Sequence, residues 1–128
     1  KTILHVDGHG FIQKVLRAKV SEHLDDLDVG LVSCKSRGDA MSFLQSNRVD
    51  LIISSSLVEC QKVQDRAEGL AFLKTCKQLF PDTPFIFYTA SGDIESETSV
   101  ADAVVYKNSN FSELMETVRR FIRLPRVT

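Results

Sequence analysis

Apolar residues fall into five short runs along the chain, each closed by polar or small residues. Thr2-Ile3-Leu4-His5-Val6 is the first and ends at Asp7-Gly8-His9-Gly10. Asp28 to Cys34, with Val29, Leu31 and Val32, is the second. In Val49-Asp50-Leu51-Ile52-Ile53-Ser54-Ser55-Ser56 three apolar residues stand in succession. Such a run reads as a strand buried on both faces, in the middle of a parallel sheet. Phe85-Ile86-Phe87-Tyr88 and Ala103-Val104-Val105-Tyr106 complete the set.

Between these runs the apolar spacing turns helical. From Phe11, the residues Ile12, Val15, Leu16, Val20 and Leu24 share one side. Ser36-Arg37-Gly38-Asp39 has the spacing of an N-cap followed by an acid, and opens a helix carrying Ala40, Met41, Phe43 and Leu44. Leu57 to Glu68 is polar and is expected to be the longest irregular stretch. Gly69 then leads into a helix with Leu70, Leu73, Cys76, Leu79 and Phe80 on adjacent rows. Pro81 and Pro84 end it, because proline cannot continue a helix. Asp93 to Ala101 fits either two helical turns or a loop. Asn110 and Glu113 have capping-box spacing ahead of the stripe Phe111, Leu114, Met115, Val118, Phe121 and Ile122.

Strands alternating with helices predict an α/β fold, a three-layer sandwich around a parallel sheet. In open α/β sheets ligands sit at the carboxyl ends of the strands. The residues collected there are Asp7, Gly8 and His9, then Ser54, Ser55 and Ser56, then Thr89, and last Lys107.

Composition narrows the function only a little. The 128 residues suit one domain, expected over 1–123, with 124–128 a linker stub leading to a further domain. Sixteen basic residues against 17 acidic ones leave a net charge of -1, which gives no basis for bulk binding to nucleic acid or an anionic membrane. Cys34, Cys60 and Cys76 form neither a metal-type pair nor a redox CxxC. A reducing, cytoplasmic setting is the expectation.

In order and spacing, nearly the whole chain resembles the receiver domains of two-component response regulators. Those domains carry an acidic pair after the first strand and a phosphoacceptor aspartate ending the third. A Thr or Ser follows the fourth strand, and a lysine, usually before proline, follows the fifth. Ile3-Leu4-His5-Val6-Asp7 matches the first strand, so Asp7 is the first acid and Gly8 stands at the second. Asp50-Leu51-Ile52-Ile53-Ser54 matches the third, which puts Ser55 at the acceptor position. Thr89 matches the switch threonine and Lys107 the lysine, with Asn108 in place of the proline. The resemblance implies the strand order 2-1-3-4-5.

The departures fall on the chemistry. The family's aspartate attacks phosphorus while Mg²⁺ neutralises the transferring group, and Mg²⁺ takes oxygen ligands that include one or two carboxylates. Here two carboxylates are replaced, by Gly8 and Ser55. Serine is a far weaker nucleophile unless a base removes its proton. One remaining carboxylate and one lysine leave the pocket balanced without metal, and Asp7 is expected to pair with Lys107. Val104 holds the place of the family's switch aromatic. The expectation is therefore a pseudo-receiver: no enzyme, no cofactor and no metal, with a degenerate pocket of Asp7, Gly8, Ser55, Thr89 and Lys107. It would act through protein contact with a histidine kinase or an output domain, or as a homodimer through the fourth helix, fifth strand and last helix. Two alternatives stay open. One is phosphoryl acceptance by Ser55, Ser56 or His9. The other is a small-anion sensor using the same pocket, where Gly8 and Gly10 open a helix.

Overall fold

The computed structural model describes residues 1–8, 10–55, 63–89, 101–106 and 111–123. In chain order they form β1 (Thr2–Val6), α1 (Gly10–His23), β2 (Gly30–Cys34), α2 (Arg37–Ser46), β3 (Leu51–Ser55), α3 (Val63–Leu79), β4 (Phe85–Thr89), β5 (Ala103–Tyr106) and α4 (Phe111–Arg123). All four strand pairings are parallel, and the sheet order is β2-β1-β3-β4-β5. Both the three-layer class and the strand order agree with the sequence reading.

Chain handedness explains which helix covers which face. A parallel crossover is right-handed in nearly all proteins. The step from β1 to β2 runs one way along the sheet, and the steps from β2 to β3 and β3 to β4 run the other. Their helices must therefore lie on opposite faces, and the two cores show it. Leu4, Val6, Ile52, Phe85 and Phe87 pack with Ala40 and Leu44 of α2 and Phe72, Leu73 and Cys76 of α3. Ile3, Leu51, Ile53, Ile86, Tyr88 and Val105 pack with Leu16 and Val20 of α1 and Leu114, Met115, Val118 and Ile122 of α4. Successive residues of the central strands alternate between the two cores, as the period of a strand requires. A reversal of winding between β1 and β3 opens a crevice at their carboxyl ends, the place where such sheets bind ligands.

Local signals decide several boundaries. Ser36 caps α2, its Oγ accepting the Asp39 amide at 3.1 Å, as its spacing predicted. In contrast, α3 starts at Val63, six residues ahead of Gly69. Gly69 lies inside the helix, where glycine costs about 1 kcal/mol against alanine without ending it. Of the stripe expected here, Leu73 and Cys76 are buried and Phe80 packs against the same core. Phe72 is fully buried, whereas Leu79 is 55 % exposed. Leu79 continues the row of Phe72 and Cys76 but is the last residue of α3. Expected features at Asp93 to 100, Asn110 and 124–128 lie outside the described residues. No described helix is long and apolar enough to cross a membrane.

Candidate functional site

Asp7 leaves β1 with its side chain fully buried. Its position is held by the backbone. The Asp7 amide donates to Cys34 O at 3.0 Å, carrying the β1–β2 ladder one residue past Val6. Gln13, in the first turns of α1, donates from Nε2 to Asp7 O at 2.8 Å and to Cys34 O at 3.3 Å. One side-chain amide thus satisfies the carbonyls of two strand ends and fixes the start of α1 above them. Gly8 is half-buried and carries no donor atom.

The strand register places the other candidates. Val6 pairs with Ser54, so Asp7 stands level with Ser55, and Ser55 in turn pairs with Tyr88. Ser54 is fully buried. Thr89 ends β4 opposite Tyr106 of β5. The backbone therefore brings Asp7, Gly8, Ser55 and Thr89 to one edge of the sheet. Lys107, His9 and Ser56 lie outside the described residues, and with them the expected Asp7–Lys107 pair.

A partner for Asp7 that the motif comparison passed over comes from its own strand. His5 Nε2 lies 3.9 Å from Asp7 Oδ2, and both side chains are fully buried. The signal was present in the spacing, since residues two apart on a strand share a face. On that same face Tyr88 feels the carboxylate. Burial raises its phenol above the ordinary range, and the negative charge of Asp7 raises it further. Its ring packs 6.1 Å from that of Phe111, joining the pocket edge to the start of α4.

Chemically, this edge offers one buried carboxylate, an imidazole beneath it and neutral hydroxyl-bearing residues. Cys34 supplies no nucleophile of note, because burial and the charge of Asp39 raise its thiol and keep it protonated. Among the described residues no three His, Cys, Asp or Glu side chains gather in a metal-binding group. Asp7 is the one carboxylate that the described residues bring to this edge, whereas Mg²⁺ prefers several oxygen donors in octahedral array.

A five-stranded parallel sheet in this order, with its site at the β1/β3 crevice, is the flavodoxin-like arrangement of receiver domains. Solved structures agree. The response regulator TrrA of Thermotoga maritima, solved in complex with Mg²⁺ and BeF, superposes with a TM-score of 0.75 at 25 % identity, covering 94 % of this chain and 98 % of that one. The BeF₃-activated N-terminal receiver domain of Klebsiella pneumoniae RstA gives 0.78 at 13 %, over 97 % and 100 %. The signal receiver domain of an HD domain-containing protein from Pseudomonas fluorescens gives 0.76 at 23 %, over 94 % and 85 %. No family model and no curated protein matches the sequence.

Proposed function

We propose that this chain is a pseudo-receiver, a signalling module that keeps the receiver architecture and works by protein contact without aspartyl phosphorylation or Mg²⁺. One observation carries the reading. Of the family's three acidic positions only Asp7 retains a carboxylate, and that carboxylate is fully buried against His5. A phosphoryl group moving towards this edge would meet no acceptor carboxylate and no metal to share its charge. Asp7, Gly8, Ser55, Thr89 and Lys107 then form a degenerate pocket with a structural task. Its partners would be a histidine kinase or an output domain of the same signalling system, in the cytoplasm. A second copy docked through the region before β5, with β5 and α4, would be the homodimeric form.

Rebuilding the missing groups tests this directly. Ser55→Asp alone is expected to remain unlabelled by acetyl phosphate with Mg²⁺, since Gly8 still denies the metal a ligand. Gly8→Asp with Ser55→Asp restores the acidic cluster and its need for a cation. That double variant is expected to be labelled measurably faster than the single one. Equal labelling of the two would refute the account of the metal site.

A further inference from the structure

We propose that the outer edge of β2 is a self-association surface, on which a second copy of this chain adds its own β2 antiparallel and joins the two sheets into one. The proposal is independent of what the pocket does, and it concerns the opposite edge of the sheet from β5.

Backbone direction makes the case. β2 ends the five-stranded sheet and pairs with β1 alone. The Gly30 amide donates to Lys1 O at 2.8 Å, and Cys34 O accepts the Asp7 amide at 3.0 Å. Gly30, Val32 and Cys34 therefore turn their N–H and C=O groups towards β1. Alternation along the strand turns those of Leu31 and Ser33 outward, where no described strand pairs with them. Such a row is a template for another strand, and proteins that avoid pairing blunt it with lysine, proline or a bulge. Gly30–Cys34 has none of these, and its register with β1 runs unbroken. Its side chains are incompletely covered as well. Leu31 packs against one core, Val32 and Cys34 against the other, and all three stay partly exposed. An added strand gains main-chain hydrogen bonds and covers that apolar surface.

Charge decides the occupant and its direction. Asp28 precedes the strand and Lys35 follows it directly, both exposed. Antiparallel pairing of β2 with itself brings the Asp28 end of one copy to the Lys35 end of the other, and the twofold axis repeats the contact. Parallel pairing would set like charge against like. With Val32 on the axis, Leu31 stands opposite the second copy's Ser33, and the two exchange N–H and C=O in both directions. The two Val32 side chains then meet as a cross-strand apolar pair. A net charge of -1 leaves little repulsion between copies. One strand edge is a small interface, so the association is weak and concentration-dependent.

Sedimentation velocity of the 128-residue chain, from about 10 μM to about 1 mM, tests this. Monomer is expected to give way to dimer across the series. Ser33→Pro removes an outward N–H from each copy without touching a bond to β1, as proline is tolerated on an edge. It is expected to weaken the dimer by about tenfold or more. Asp28→Lys and Lys35→Asp change exposed flanking residues and keep the test intact should the proline variant fail to fold. Each alone should lose the dimer at the concentration where wild type is half associated, and the chain carrying both should regain it. In the wild type the Leu31 and Ser33 amides should gain protection from hydrogen exchange as the dimer forms. A chain that stays monomeric throughout would overturn the proposal. So would a dimer indifferent to these variants, or one whose Leu31 and Ser33 amides exchange as fast as in the monomer, since association would then use another face. Labelling of the wild-type chain by acetyl phosphate would remove the pseudo-receiver reading and leave this one standing, so the two failures are distinguishable.

Discussion

Cys76 sits at 1 % exposure between α3 and the sheet, where burial pushes its thiol up to about 12 against a small opposing effect of Lys77. Below the ordinary value near 9 the folded and unfolded chains both keep this proton. Above it the unfolded chain releases the proton first, so stability falls as pH rises towards about 12. The slope from this one group approaches about 1.4 kcal/mol per pH unit. Urea midpoints taken at pH values from about 8 to 10.5 should show a steeper alkaline loss in wild type than in Cys76→Ala. Equal slopes would show that the thiol is less shielded than its packing indicates. Among the site residues, Asp7 and Ser55 could be placed from strand periodicity and motif spacing alone. The His5–Asp7 contact could have been read the same way, from their two-residue spacing. A histidine inside an apolar strand is usually a core residue, which hides that signal. How deeply Asp7 is buried could not be read at all, since it depends on Gln13 and the neighbouring strands.

Between α3 and β5 a single carboxylate organises three segments. Asp102 Oδ2 accepts the Phe85 amide at 2.7 Å and Lys77 Nζ at 2.8 Å, while the Asp102 amide donates to Phe85 O at 2.9 Å. Lys77 also donates to Pro81 O and Thr83 O, tying the end of α3 to the turn before β4. Asp102→Ala would leave the half-buried Phe85 amide without this acceptor, a loss of about 1–3 kcal/mol. Asp102→Asn retains an acceptor oxygen for that amide and should recover more than half of it. Thermal or urea unfolding of the two variants checks this, and equal losses would place the effect on the Lys77 ion pair instead. Element boundaries were less legible than element identities for physical reasons. Ser36 announces α2 through a side-chain cap, which is a local interaction. The start of α3 at Val63 has no comparable marker, and Gly69 looked like a helix boundary although the helix runs through it.

The winding of the whole chain is what the sequence displays best. Alternating apolar runs and helical stripes specify a parallel α/β sandwich, and the fully buried Ile52 and Ile53 mark β3 as a central strand. Strand order came from family resemblance, because periodicity carries no information on which strands are neighbours. The 13–25 % identities to receiver structures that superpose over nearly the whole chain show how far the fold persists as the sequence diverges. Architecture depends on buried apolar residues, some two dozen of them among the described residues, that tolerate exchange in kind. Phosphoryl transfer depends on three carboxylates that do not. The most direct test of the pseudo-receiver proposal is intact-mass spectrometry of the wild-type chain after incubation with Mg²⁺ and acetyl phosphate, or with a phosphorylated histidine kinase. The predicted result is an unchanged mass. A base-labile adduct would mean that a carboxylate in this chain still accepts phosphate. A base-stable adduct mapping to Ser54, Ser55 or Ser56 would mean that a serine has taken over the aspartate's role, and either outcome would contradict the account.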